Sequence, residues 1–387
     1  MSTHATLDVA ALVRDPATRV IVTCGSGGVG KTTTAAAMAL LGAQAGRRTV
    51  VLTIDPARRL AQSMGLTELD NTPREVKGAT EDGPGALFAM MLDMKRTFDE
   101  VILEHSPPER AEKIFANKFY QSLSSSLAGT QEYMAMEKLG QLVSQGEWDL
   151  IVVDTPPSRS ALDFLDAPNR LGRFLDGRMV RLIAAPAKAG GRAYVKVLTV
   201  SVGIVAKAFT RILGGELLND LSTFVSALES TFGGFRDRAQ KTYQLLKEPG
   251  TAFVVVAAPE PDALREASYF VERLSADKMP LAGAIVNRTH TTAIADDLPA
   301  LTAAHADAAA ELLARRPGTG KVKAARALAQ AALRVHAEIA GAAEHDARMT
   351  ARFASAHGSV PIVSVPALPR DVHDLDGLRT IGKLLGT

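Results

Sequence analysis

Cysteine is almost missing from this chain: Cys24 is the only one in 387 residues. No intrachain disulfide can form, which suits a reducing compartment. There is no Cys-x-x-Cys clamp for zinc and no thiolate cluster for a soft metalloid, so no zinc is expected. Cys24 itself closes an apolar run and reads as a small buried hydrophobe. Aromatic residues are scarce at 5%, which gives little material for stacking nucleic-acid bases. The formal net charge is only +2, so bulk electrostatics draw the chain to neither nucleic acid nor an anionic bilayer, and no nucleic-acid partner is expected. Long apolar runs are lacking too. Near the start only Val9–Val13 is apolar, between Asp8 and Arg14, which is no secretory leader. The longest near-apolar stretch, Val197–Ala206, is about half of a membrane span. These absences predict a cytoplasmic protein, either free or peripheral at the membrane. A hydrophobic content of 47% with 22% charged residues is ordinary for a globular chain with room for one large or two modest domains.

What is present is a phosphate loop. Arg19-Val20-Ile21-Val22-Thr23-Cys24 is a β-branched run, and it meets Gly25-Ser26-Gly27-Gly28-Val29-Gly30-Lys31-Thr32-Thr33, which opens onto an alanine-rich helix former. Gly25, Gly30, Lys31 and Thr32 satisfy G-x-x-x-x-G-K-[ST]. Glycines allow backbone N–H groups to curl around an anion, and the helix behind adds the positive end of its dipole. Lys31 is placed to reach the β/γ-phosphates, and Thr32 to ligate Mg²⁺. Gly25, Gly27 and Gly30 also read G-x-G-x-x-G, with Asp55 downstream where a dinucleotide fold expects an acid. Lys31 and Thr32 decide for a nucleoside triphosphate, because a dinucleotide has no use for that pair.

Further along, Arg48–Ile54, Ala86–Leu92, Trp148–Val153, Thr251–Ala258, Leu281–Val286 and Val360–Val365 read as strands. Helices fall between them, at Lys95–Glu104, Ala263–Leu274 and from Leu375 to the end; residues 297–356 are helical with a break at Arg316–Gly320. This alternation predicts an α/β fold, a P-loop NTPase with a mainly parallel sheet flanked by helices. Two strandless stretches, 94–146 and 161–249, read as one all-helical subdomain inserted twice. The nucleotide-binding domain is then 16–93, 147–160 and 250–387. Within the insert, 217–232 carries a one-sided apolar stripe, and Tyr194–Leu213 is so apolar that it is either buried or lines a groove. Met90, Met91, Met94, Met134 and Met136 are either plain core packing or adaptable apolar lining of such a groove.

In a parallel sheet the ligand sits beyond the carboxyl ends of the strands. Gly25, Asp55 and Asp154 all stand at such ends. Asp154, after an apolar strand, is the acid to hold Mg²⁺ through water beside Thr32. Asp55 is then the candidate to orient the attacking water.

Gly25–Thr33 is similar to the deviant phosphate loop of the MinD/ParA/ArsA ATPases. Asp55-Pro56-Ala57 and Asp154-Thr155-Pro156-Pro157-Ser158 resemble switch I and switch II of the branch that contains ArsA and the guided-entry factor for tail-anchored proteins. Gly129-Thr130-Gln131-Glu132, Ile285-Val286-Asn287-Arg288 and Pro366-Ala367-Leu368-Pro369 extend the likeness over nearly the whole chain, most closely to actinobacterial ArsA-like ATPases. The resemblance implies ATP as substrate with Mg²⁺. It casts Asp55 as the water-activating residue alongside the catalytic Lys31, and Asp154 as the magnesium aspartate. Asn287, next to Arg288, matches the adenine reader, and Pro366, Leu368 and Pro369 lie in the loop that covers the base. It further implies two subunits sandwiching ATP and a helical subdomain that exposes or hides an apolar groove.

Three departures qualify the likeness. Ser26 stands where the family usually carries a lysine that reaches the opposite subunit's nucleotide, a charge comparable to an arginine finger. The dimer's zinc pair and the metalloid-binding cysteines are also missing, which argues against arsenite. The reading is therefore an ATP-hydrolysing dimeric switch that handles a hydrophobic client or membrane protein. It would act as a homodimer, or as a heterodimer with a paralogous subunit that supplies the lysine. The alternative is a MinD/ParA-like positioning ATPase on membrane or DNA, which calls for a basic face or a basic terminal amphipathic helix.

Overall fold

Each β-branched run forms a strand in the computed structural model of the chain. The strands are β1 (Val20–Cys24), β2 (Arg48–Thr53), β3 (Arg74–Glu75), β4 (Ala86–Met91), β5 (Leu150–Asp154), β6 (Thr251–Ala257), β7 (Leu281–Thr289) and β8 (Ile362–Pro366). They make one sheet in the order β3-β4-β2-β5-β1-β6-β7-β8. Every pairing is parallel except β3 against β4. The residues described are 5–54, 59–66, 68–80, 83–117, 120–121, 130–156, 237–292, 301–317 and 319–386. Asp55, Gly129, Pro157, Ser158, Tyr194–Leu213 and the stripe at 217–232 lie outside them.

The two-residue period of the strands divides the core. On one face Val20, Val22, Val50, Leu52 and Val153 join a cluster under helices α4 (Met94–His105) and α6 (Thr130–Gln145). On the other face Ile21, Val51 and Val152 pack with α2 (Lys31–Gln44) and with α10 (Leu375–Leu385). Parallel strands buried on both faces must be apolar throughout, and β6 is buried at all seven positions. Four of the described helices start at a side-chain cap. Asp93 accepts from the Arg96 N–H at 2.9 Å before α4, and Asp374 from the Gly377 N–H at 2.8 Å before α10. The remaining helices are α1 (Val9–Arg14), α3 (Arg59–Ser63), α5 (Pro108–Ala116), α7 (Pro261–Ala276), α8 (Ala303–Arg315) and α9 (Gly320–Ala356).

The apolar run Val9–Val13 lies in α1, which Asp8 caps and which docks on α2. The methionines are core and not groove lining: Met90, Met134 and Met136 are at most 1% exposed, while Met91 and Met94 pack against the same clusters. Their plasticity fills gaps around the sheet. The terminal helix α10 buries Leu378, Ile381 and Leu385, so its apolar face is taken up by the body and cannot serve a bilayer. No helix among the described residues is long and apolar enough to cross a membrane.

At the amino-terminal end of the strands, one buried guanidinium gathers four backbone carbonyls. Arg47 Nη1 donates to the carbonyls of Val13 at 2.7 Å and Asp15 at 3.1 Å. Its Nη2 donates to the Thr18 carbonyl at 2.6 Å and to that of Asp149. Burial lowers the Arg47 pKa, and nearby Asp149 and Asp15 pull it back up. A charged donor satisfying buried carbonyls contributes more than a neutral one. Arg47→Met fills the same space and leaves those carbonyls short, so it should cost on the order of 3 kcal/mol. Chemical denaturation checks this; an unchanged midpoint would mean that water replaces the clasp.

Candidate functional site

The phosphate loop leaves β1 at the carboxyl edge and is held by close backbone contact. Gly25 has φ +150°, and a Cβ there would lie 2.0 Å from the Val256 carbonyl oxygen. Gly30 caps α2 in the left-handed region at φ +93°, and a Cβ there would lie 2.3 Å from Asn287 Nδ2. That amide donates to the Val29 carbonyl at 2.8 Å, and Arg288 Nη1 to the Gly28 carbonyl at 3.0 Å. Thus β7, more than 250 residues downstream, braces the loop from its open side. Arg288 has φ +63°, a conformation that costs a non-glycine residue of order 1–3 kcal/mol.

Behind the loop, Lys31 is buried and its Nζ donates to the Ser26 carbonyl at 2.7 Å. The Ser26 hydroxyl is buried as well, with no hydrogen-bond partner among the described residues. Cys24 lies 2% exposed at the end of β1. Burial pushes its thiol up to about 12, with Lys31 opposing slightly, so it is inert packing as the sequence indicates.

Asp154 is the hub. In register across the sheet it pairs with Thr23 on β1 and with Thr53 on β2. Its Oδ2 accepts from Thr32 Oγ1 at 2.8 Å and from Thr53 Oγ1 at 3.0 Å, and the residue is wholly buried. Next to it Thr155 donates to the Thr23 carbonyl at 2.7 Å. The backbone N–H of Ile54 donates to the Asp154 carbonyl at 2.9 Å. Gln131, in the first turn of α6, donates to the Ile54 carbonyl at 2.7 Å. The chain is therefore anchored from two sides just before Asp55.

A cavity of about 780 Å³ opens in front. Gly27, Gly28, Gly30, Lys31, Thr32 and Thr33 form its floor, and Asn287, Arg288, Pro366 and Leu368 form its wall. Gly25, Ser26, Val29, Pro369 and Asp154 are outside its lining: Val29 turns into a small cluster with Val256 and Ala263, and Asp154 sits behind Thr32. The Ala367 N–H donates to the Thr289 carbonyl at 2.9 Å and ties the β8 turn to β7.

Several residues here went unnoticed in the sequence. Thr53 is the polar residue that closes the apolar run Val50–Leu52 in β2, which was the available signal. Gln62 and Ser63 enter from α3, and Arg370 and His373 follow the β8 turn; nothing in their spacing marks them.

Residues 18–312 match the family of anion-transporting ATPases of the ArsA type. The chain belongs to this family. Among curated relatives, ATPase GET3 of Podospora anserina is 26% identical over 70% of this chain and 73% of its own length. ATPase ARSA2 of Chlamydomonas reinhardtii is 30% identical over 68% of this chain and 66% of its own length. ATPase ASNA1 homolog 1 of Paramecium tetraurelia is 25% identical over 68% and 73%. As an ArsA-type ATPase the protein hydrolyses ATP, and its sheet is the α/β fold of P-loop NTPases.

The Asp154 arrangement gives a direct expectation. Thr53→Val keeps the shape of the side chain but removes one of the two threonine donors to a buried carboxylate oxygen. It should lower stability by about 1–3 kcal/mol, read by thermal unfolding with nucleotide absent. Wild-type stability would mean that Thr32 alone satisfies that oxygen.

Proposed function

We propose that this ArsA-type ATPase is a dimeric switch in which Mg²⁺-ATP binding and hydrolysis open and close a helical subdomain for a hydrophobic client or a membrane protein partner. The observation that carries the nucleotide half is the 2.8 Å contact between Thr32 and Asp154 beneath the loop. A hydroxyl and a carboxylate side by side are hard oxygen donors, and that set fits Mg²⁺. Thr32 would ligate the ion directly and Asp154 through water. When bound, Mg²⁺ would neutralise charge on the β- and γ-phosphate oxygens.

The loop N–H groups from Gly25 to Thr33 would cradle the phosphates, with Lys31 turning from the Ser26 carbonyl toward the γ-phosphate. Asn287, Arg288, Pro366, Leu368 and Pro369 would enclose the base and ribose. Asp55 would orient the attacking water, with the preceding carbonyl fixed by Gln131. The nucleotide-binding part would comprise 16–93, 147–160 and 250–387, and the moving helices 94–146 and 161–249. The cytoplasm, or its membrane face, is the setting this reading calls for. Lys31→Ala should abolish nucleotide binding or turnover. Asp55→Asn should bind ATP with near-wild-type affinity and lower kcat by about 10²-fold or more. Equilibrium binding and phosphate-release assays separate the two, and unimpaired kcat in Asp55→Asn would remove it from the catalytic role.

Ser26 shapes the assembly. Its buried hydroxyl offers no cation to a second subunit, so we assign the missing charge to a paralogous partner carrying lysine at that position. The alternative is a homodimer that turns over slowly. Mixing the chain with such a paralogue should raise turnover by about 10³-fold, the scale of an arginine finger. Full turnover of the pure homodimer would sink the idea.

A further inference from the structure

Helices α8 and α9 form an antiparallel hairpin whose near half is anchored and whose far half projects. Near the body, Ala306, Ala310, Ala337 and Ala340 are buried between the two helices. The Ala303 N–H donates to Glu344 at 3.0 Å. Asp346 holds the end of β7, accepting from His290 N at 2.7 Å and lying 2.8 Å from its Nδ1. Beyond these contacts the picture changes. From residue 311 to 335 every described residue is exposed except Leu313, Arg326, Gln330 and Leu333, which are half-buried. The match to the ATPase family ends at residue 312, so almost all of this tip lies past it.

The tip concentrates charge that the whole-chain figure hides. Between 311 and 334 stand Arg315, Arg316, Lys321, Lys323, Arg326 and Arg334 against Glu311 alone. That is +5 in a chain of net +2, which leaves the rest at −3. Exposed apolar bulk gathers in the same place. Among the described residues seven large hydrophobic side chains are exposed, and five of them are on this hairpin. Leu312 is 62% exposed, Val322 54% and Leu328 73%. Leu328 lies about 12 Å along α9 from its start, and the other two lie closer to the turn.

We propose that the hairpin tip docks end-on into the headgroup layer of an anionic lipid bilayer. The cations would attract the surface, and Leu312, Val322 and Leu328 would enter the headgroup–acyl boundary, about 5–10 Å deep. A fluid surface is favoured over an acidic protein by how the groups are distributed. Leu312 is on one helix, and Val322 and Leu328 are about 120° apart on the other. No single face collects them, and a rigid partner would meet only part of the set. Nucleic acid would leave the apolar groups in water. The proposal stands apart from the nucleotide site.

Full-length protein is sedimented with vesicles of phosphatidylcholine alone and with about 30% phosphatidylglycerol, at roughly 0.05 M and 0.5 M salt. Binding to the anionic vesicles at low salt is expected, with little to the neutral ones. Lys321→Glu with Lys323→Glu should weaken it at least about tenfold, and Leu328→Ser by a smaller factor. Both lysines are exposed and outside the nucleotide cavity, so unfolding temperature and ATP turnover should stay unchanged. Equal binding to both vesicles, or binding indifferent to the charge reversal, overturns the proposal. Failure to bind either vesicle while the tip retains soluble polyglutamate in a salt-sensitive way also overturns it, and assigns the tip to an acidic protein.

Discussion

The site depends on one buried carboxylate. Asp154 ends β5, and the sheet register sets it level with Thr23 and Thr53 on its neighbours. A carboxylate excluded from water has to be met by donors. Thr32 and Thr53 meet it, which ties the first turn of α2 to the ends of two strands. The parallel pairing therefore does more than build a core. It delivers Asp154, the Thr32 hydroxyl and the end of β2 to one point.

A second constraint acts from the open side. Asn287 and Arg288 reach the carbonyls of Val29 and Gly28, so the loop is braced by residues that also line the cavity wall. Gly30 can be nothing larger, since its backbone is left-handed and its missing Cβ is where the Asn287 amide lies. The glycine and the asparagine, far apart in sequence, are one structural decision.

The loop, the strands and Asp154 were legible because each has a local signature: glycine spacing, a β-branched run, an acid at a strand end. Membership in the ATPase family followed from the same residues. Methionines 90, 134 and 136 stayed undecided in the sequence, because an adaptable side chain looks alike in a core and in a groove until the packing is known. Arg47 and Gln131 were invisible as anchors, since their partners are backbone carbonyls from distant segments. The hairpin tip escaped for another reason. A net charge averaged over the chain conceals a cationic end balanced by an acidic remainder, and only exposure reveals which charges stand together.

The single thiol carries a last consequence. Cys24 is sealed at the end of β1, one residue before the loop, and burial keeps it protonated far above neutral pH. Oxidants have no thiolate to attack in the folded chain. Thiol oxidation or glutathionylation at Cys24 would therefore need the chain to open first, so this residue gives the folded ATPase no redox control.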